Sequence, residues 1–528
     1  MEITSPRAPR GAAQSIMSAA CDPPRRALVA GLFTAAPTGS FYGFSVYSQA
    51  LKAQFDLSQQ QLASINTIPY ALGFGSPLAG AVMQSCGPAF TTALGGAFQA
   101  SGQLLMFGVA VKALPVASPS VALVLCACIN YVGMALNNAA AFTNPVLHYP
   151  VQRSSVTGLV KSFVGISGAV VTQVFVLFYG TPGPDPEALL CLLIWAASSV
   201  SCCALSALVV PRAPDPSARE PVGLLRVCFY YVLGLGLFAT VVSFLPEGSA
   251  HDASVITLSV ATVLPLAIAF MPCTERRSDP FAATAAKGSQ TGVFECATSY
   301  TTREMLSTPD AWMIWYVGVV VAGSGMILST NLAQIIESAG APQTLVPTAV
   351  TLFSVGNLLG RLLGMQVSDR VVHSGHSRAL MLSAISALMG ISQLGFVTAA
   401  AMRRAGSTLQ RVVFLAATSG GGLSFGAIWP HFVVLASEIF GSAHLAKNYM
   451  FFDGTCGALG SLVFANVLPS TVYALSAVGN DCVGASCFGP THGISVLLCA
   501  VGCVLGAMLA KRSAPLYERI LRSRTELV

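Results

Sequence analysis

Charge is the scarcest commodity in this chain: only 9% of its 528 residues are Asp, Glu, Lys or Arg. A soluble protein carries about a quarter, so too few charged side chains remain to cover a water-facing surface. No Gly-rich phosphate loop, nucleophile elbow or His-Glu-x-x-His pair occurs, which argues against an ATP-driven pump. No Cys, His, Asp and Glu residues fall at metal-ligand spacing, and no cofactor is expected. What the chain has instead is 54% hydrophobic residues and a mean hydropathy of +0.69.

The apolar residues fall into about fourteen runs near the 20 residues needed to cross a bilayer. They lie near 27–48, 60–84, 88–111, 119–142, 153–179, 187–210, 222–245, 252–271, 310–334, 344–367, 378–402, 409–435, 447–472 and 491–511. The runs are too long and too continuous for the alternating strands of a membrane barrel, so the expected fold is an all-α membrane protein. The first run contains Pro37 and Gly39, lacks a small-residue cleavage site and is followed closely by a second. It is therefore expected to be a retained span rather than a signal peptide.

Composition suggests six parts: a disordered tail (1–25), a six-helix bundle (26–212), two extra spans (213–271), a polar linker (272–309), a second six-helix bundle (310–512) and a tail (513–528). With this arrangement both termini share one side. Twenty-one of the 27 Lys and Arg residues then fall on that side, five on the other, and Arg361 within a span. The bias places both termini in the cytosol. The net charge of +6 thus reflects topology and implies no nucleic-acid partner. The plasma membrane is the expected location, with a vacuolar or endosomal membrane as the alternative. Most of the fifteen cysteines are small core residues, but Cys482 and Cys487 flank a polar segment where a disulfide is plausible in an oxidising compartment.

Charged residues inside spans cost several kcal/mol unless paired or facing a wet cavity, and so mark candidate sites. Arg361 sits in the run AVTLFSVGNLLGRLLGMQV, eight residues or about 12 Å of helix from Asp369. Its guanidinium offers a fork for a carboxylate; alternatively it is locked in an ion pair with a nearby acid such as Asp453 that fixes the C-terminal half. Lys161 lies eight residues from Arg153 at similar depth and either faces the cavity or snorkels to the interface. Asp453 is the one acid well inside a span, either a structural partner or a proton-coupling carboxylate. Glu438 is expected to pair with Arg370 at a helix end. Asn137, Asn138, Gln173, Asn331 and Gln334 are polar groups at depth that either line a cavity or bond helix to helix. His431 is a lone imidazole, more simply a packing residue.

Three stretches resemble the nodulin-like branch of the major facilitator superfamily: RSSVTGLVKSFVGISGAVVTQ at Arg153–Gln173, NLAQ at Asn331–Gln334 with LLGRLLGMQVSD at Leu358–Asp369, and GAIWPHFVVLASEIFG at Gly426–Gly441. The resemblance implies a two-bundle carrier in which the fifth and tenth spans face each other across a cavity, bringing Lys161 towards Arg361. It also implies a cytosolic latch in the second loop of each half. The second copy keeps Asp369 and Arg370, whereas the first has Gln84 and Ser85 and is expected to lack the charged latch. The spacing of Arg361, Gly364 and Asp369 is similar to that in oxalate/formate and monocarboxylate carriers, which implies a carboxylate-binding Arg361. Monocarboxylate carriers often have an Asp where this chain has Asn357.

The expected function is secondary active transport by alternating access, for a small organic anion such as a mono- or dicarboxylate. Arg361 and Lys161 would be its cationic ligands. Asp453, Glu438, Asp369 and Arg370 would couple or gate, with H+ or Na+ as coupling ion. The partners would be a small solute and the lipid bilayer, and the protein would be a monomer. A metal or metal-chelate carrier is the alternative, followed by a non-transporting receptor or scaffold. An enzyme would need more convergent titratable groups than the spans provide.

Overall fold

The computed structural model describes residues 23–179, 185–211, 220–243, 256–257, 299–342, 345–402, 406–477 and 482–525. All but 256–257 of the apolar run near 252–271, residues 1–22 of the N-terminal tail, most of the 272–309 linker, and Arg403 and Arg404 lie outside these.

A backbone amide left unbonded in lipid costs several kcal/mol, so an apolar chain closes its hydrogen bonds within helices. The first half contains α1 (Pro23–Thr38), α2 (Phe44–Phe55), α3 (Gln59–Thr67), α4 (Ser76–Ala110), α5 (Pro119–His148), α6 (Arg153–Tyr179) and α7 (Cys191–Val209). Helix α8 (Val222–Ser243) and the short α9 (Thr302–Leu306) follow. The second half contains α10 (Pro309–Ser338), α11 (Leu345–His373), α12 (Leu380–Ala400), α13 (Thr408–Ile439), α14 (Leu445–Leu459), α15 (Leu468–Ser476) and α16 (Gly489–Thr525). Eight of the described helices, or continuous helical stretches, are long and apolar enough to cross a membrane.

Several apolar runs are not single straight helices. Short 3-10 turns at Gly39–Gly43 and Ile68–Gly75 join α1 to α2 and α3 to α4. Helix α4 bends at Gly87, whose φ of +79° suits glycine, just before Pro88. Its two arms match the second and third apolar runs. A π-helical stretch, Gly460–Val467, links α14 to α15. Helix α16 runs on through Thr525, so most of the segment expected to be a C-terminal tail is helix.

Two sets of helix contacts are the most extensive between the halves. Helix α6 packs on α11 and α13, while α14 packs on α4, α5 and the Ile68–Gly75 turn. Both rely on glycines that let backbones approach. A Cβ at Gly158 would lie 2.8 Å from the Arg361 carbonyl oxygen, and one at Gly80 would lie 2.5 Å from that of Ala446.

Helix α8 belongs to neither half yet touches both, packing against α6 and α11. It buries Leu224, Leu225, Cys228, Val232 and Leu235, a helical stripe, and exposes Val227 and Tyr230. Just before it, Glu220 accepts hydrogen bonds from the amides of Val151 (2.7 Å) and Gln152 (2.9 Å). Burial raises the Glu220 carboxyl above its ordinary range; the two amides and Arg153 pull it back. Cys482 and Cys487 form a disulfide in the loop between α15 and α16.

Candidate functional site: a charged cavity between the halves

A cavity of about 440 Å³ lies between the two halves. Three charged side chains line it: Lys161 from α6, Arg361 from α11 and Asp453 from α14. All are buried, at 3%, 3% and 8% exposure, so none snorkels to a water interface. The cavity extends past Ser48 and Leu62 in one half and Thr330 and Val350 in the other. These lie towards the end of the molecule opposite the chain termini.

Helical phase brings the three together. The Lys161 ammonium donates to Asp453 Oδ1 at 2.9 Å and to the Tyr449 hydroxyl at 2.7 Å. It also lies 4.0 Å from the centroid of the Phe142 ring, a favourable place for a cation. Tyr449, one turn before Asp453 on α14, donates to the same carboxylate oxygen at 2.8 Å. Asn138 reaches the other oxygen at 3.4 Å. The counter-ion of Lys161 therefore comes from the opposite half. The ion pair that the sequence suggested between Arg361 and Asp453 is replaced by one between Lys161 and Asp453, since α6, rather than α11, faces that carboxylate.

Arg361 makes a different link. Its Nε donates to Asn357 Oδ1, one turn back on α11, at 3.0 Å. Its Nη1 donates to the backbone carbonyl of Lys161 at 2.8 Å. A guanidinium from one half thus binds the main chain of the other, and Asn357 orients it. Helix α13 supports this turn because Gly426 has no side chain: a Cβ there would overlap the Asn357 carbonyl oxygen. Replacing Gly426 by valine should force α11 and α13 apart and displace Asn357. The expected loss is about 1–3 kcal/mol of stability, seen as a lower melting temperature.

The remaining polar candidates do not meet here. Asn137 faces into its own bundle, donating to Gln99 Oε1 at 2.5 Å and to Cys203 Sγ at 3.4 Å; its neighbour Asn138 lines the cavity instead. Asn331 ties α10 to the π-helical stretch through the Ala465 carbonyl at 3.1 Å. Gln334 is exposed, away from the cavity lining. Gln173 lies on α6, with its side chain outside the described residues. His431 bonds the Ala427 carbonyl at 2.7 Å, a buried packing position. Sequence reasoning missed Tyr449, which lies outside the quoted motifs and is marked only by its i, i+4 spacing to Asp453.

At the end carrying the chain termini, a second charged group closes the structure. Arg378 donates to Asp369 at 2.9 Å, to Glu438 at 2.9 Å and to the Ser368 hydroxyl at 2.8 Å. Tyr517 on α16 adds a bond to Glu438 at 2.6 Å. The pairing expected between Glu438 and Arg370 does not form: Arg370 is exposed, while Arg378, just before α12, lies between the ends of α11 and α13. Ser154 of the first half donates to Asp369 at 2.5 Å. In the first half Gln84 makes the uncharged counterpart, bonding the Ala443 carbonyl and His444 Nδ1, both at 3.0 Å. The described cavity lining includes none of these residues.

These features have known relatives. Residues 26–274 match the family model described as Nodulin-like. The protein NUCLEAR FUSION DEFECTIVE 4 of Arabidopsis thaliana is 24% identical over 95% of this chain and 90% of its own length. Over residues 26–274, nearly half of its length, the chain is similar to the nodulin-like family. The oxalate:formate antiporter of Oxalobacter formigenes is 26% identical to this chain, over 33% of the chain and 41% of the antiporter. Two solved transporters share its fold. An outward-facing bacterial homologue of the iron transporter ferroportin gives a TM-score of 0.57 at 14% identity, covering 92% of this chain and 98% of that one. The proton:xylose symporter XylE gives 0.56 at 13% identity, covering 93% and 95%. The protein is thus an integral, multi-pass membrane protein with the major facilitator fold, two helical halves around a central cavity. Among its described residues, no three His, Cys, Asp or Glu side chains gather where a metal ion could be held.

Proposed function

We propose that this protein carries a small organic anion across a membrane by alternating access, with Arg361 as the principal recognition group. The supporting observation is a guanidinium at membrane depth, lining a cavity and bonded to the main chain of the opposite half. A buried cation of this kind favours a negatively charged ligand, and its planar fork matches a carboxylate. The antiporter relative, whose name specifies oxalate and formate, supports the same class.

In the proposed cycle the anion enters from the end opposite the termini and binds Arg361 between the halves. Closure at that end follows, and the Arg378 latch with the Ser154–Asp369 bond releases. Asp453 is the proposed coupling group: a proton there would release Lys161 from its counter-ion and alter the charge of the cavity. Its replacement by asparagine should remove the proton dependence of net uptake and leave anion exchange intact; an unchanged pH dependence would count against this role. The proposal places both termini in the cytosol and a monomer in the plasma membrane.

The deciding experiment is counterflow in proteoliposomes. Labelled mono- and dicarboxylates, iron and zinc would be offered to wild type and Arg361→Ala. Carboxylate flux lost in the variant supports the proposal. Wild-type rates in Arg361→Ala, or metal flux without any anion, would overturn it.

A further inference from the structure

We infer that Asp453 sets the valence of the anion, so that the cavity takes monocarboxylates and turns away dicarboxylates. This rests on the anion reading above and extends it to the charge of the substrate.

The argument starts from the charges on the described cavity lining, which are two cations and one carboxylate. Lys161 and Asp453 already satisfy each other. The ammonium has three N–H donors; two go to Asp453 and Tyr449, and the Phe142 ring lies alongside. Both Asp453 oxygens are occupied as well, Oδ1 by Lys161 and Tyr449, Oδ2 by Asn138. Lys161 is therefore poorly placed to receive a carboxylate, and any anion approaching it also approaches Asp453. Two negative charges a few ångströms apart repel strongly in a medium less polar than water.

The net charge of the described lining is one positive, which Arg361 contributes from the other half. One carboxylate balances it; a second would be buried without a counter-ion, which is costly. The surrounding wall includes Phe353, Phe425 and Trp429, which suit an apolar remainder rather than a second charged end. A volume of about 440 Å³ lies towards the small end of ligand pockets.

Ligand pairs matched in skeleton test this: butyrate against succinate and benzoate against phthalate. Full-length protein in lipid nanodiscs at pH 7 would be titrated, with binding read by tryptophan fluorescence. Wild type should bind the monocarboxylate of each pair at least about tenfold more tightly. Asp453→Asn adds one positive charge and should move the ratio towards the dicarboxylate by about tenfold or more. Asn138→Lys adds the same charge beside an intact Lys161–Asp453 pair, and keeps the test valid if Asp453→Asn misfolds. Lys161→Gln combined with Asp453→Asn restores the net charge, so its ratio should return to that of wild type although both affinities fall. Dicarboxylates binding wild type as tightly as their partners overturn the valence inference alone. So do wild-type ratios in both Asp453→Asn and Asn138→Lys. If wild type binds no carboxylate of either kind, the anion reading itself fails.

Discussion

Replacing Arg361 by alanine should reduce anion binding by at least about 100-fold, because two charge-assisted bonds to a carboxylate contribute about 1.5–3 kcal/mol each. The substitution also strips the Lys161 carbonyl and the Asn357 side chain of their donor, so some loss of stability is expected. Arg361→Lys separates the two effects. It keeps the charge but loses the planar fork and the reach to both Asn357 and the Lys161 carbonyl. Its affinity should fall between that of wild type and alanine, with most of the thermal stability retained. Ligand titrations and melting temperatures measured on the same preparations check both parts. If alanine and wild type bind carboxylates equally, Arg361 serves only to tie α6 to α11.

The second large effect is expected at Arg378. One guanidinium holds Asp369, Glu438 and Ser368, with a side chain 5% exposed. Removing one partner of a buried ion pair typically costs about 3–5 kcal/mol, since the remaining charge stays buried without compensation. Arg378→Gln leaves two carboxylates facing each other and should lower the melting temperature by several degrees. It should also loosen Asp369, the acceptor of Ser154 from the other half. The end carrying the termini would then open more often. A cysteine introduced at Gln366, which bonds Ser155 across the halves at 3.4 Å, should label faster with an impermeant maleimide in this background. The control is Arg370→Gln: that arginine is exposed, and its loss should change stability by no more than about 0.5 kcal/mol. Equal effects at the two arginines would refute the assignment of the latch.

The contrast between these arginines shows where sequence reasoning reaches its limit. Arg370 follows Asp369 directly and sits in the stretch that resembles a facilitator loop, so adjacency favoured it. The chain then turns at Ser374 and Gly375, and Arg378 returns to the carboxylates of Asp369 and Glu438 from the start of the next helix. Sequence distance cannot reveal that return. The same limit applies to Asp453. Its burial was evident from the run around it, but the choice of Lys161 over Arg361 depends on which faces of α6, α11 and α14 point inward. Asn137 and Asn138 make the case most sharply. They are adjacent and identical in chemistry, yet 100° of helical rotation sends one into its bundle and the other to the cavity.

Composition and hydropathy alone determined a helical membrane protein with polar breaks between spans, because lipid leaves the backbone no other way to close its hydrogen bonds. The cost of burying charge likewise singled out Lys161, Arg361 and Asp453 without any coordinates. Tertiary structure decided which charge answers which, where the latch closes and which polar side chains see the cavity. Those outcomes depend on helix rotation and on contacts between halves hundreds of residues apart, and neither is encoded in the local pattern of any one span.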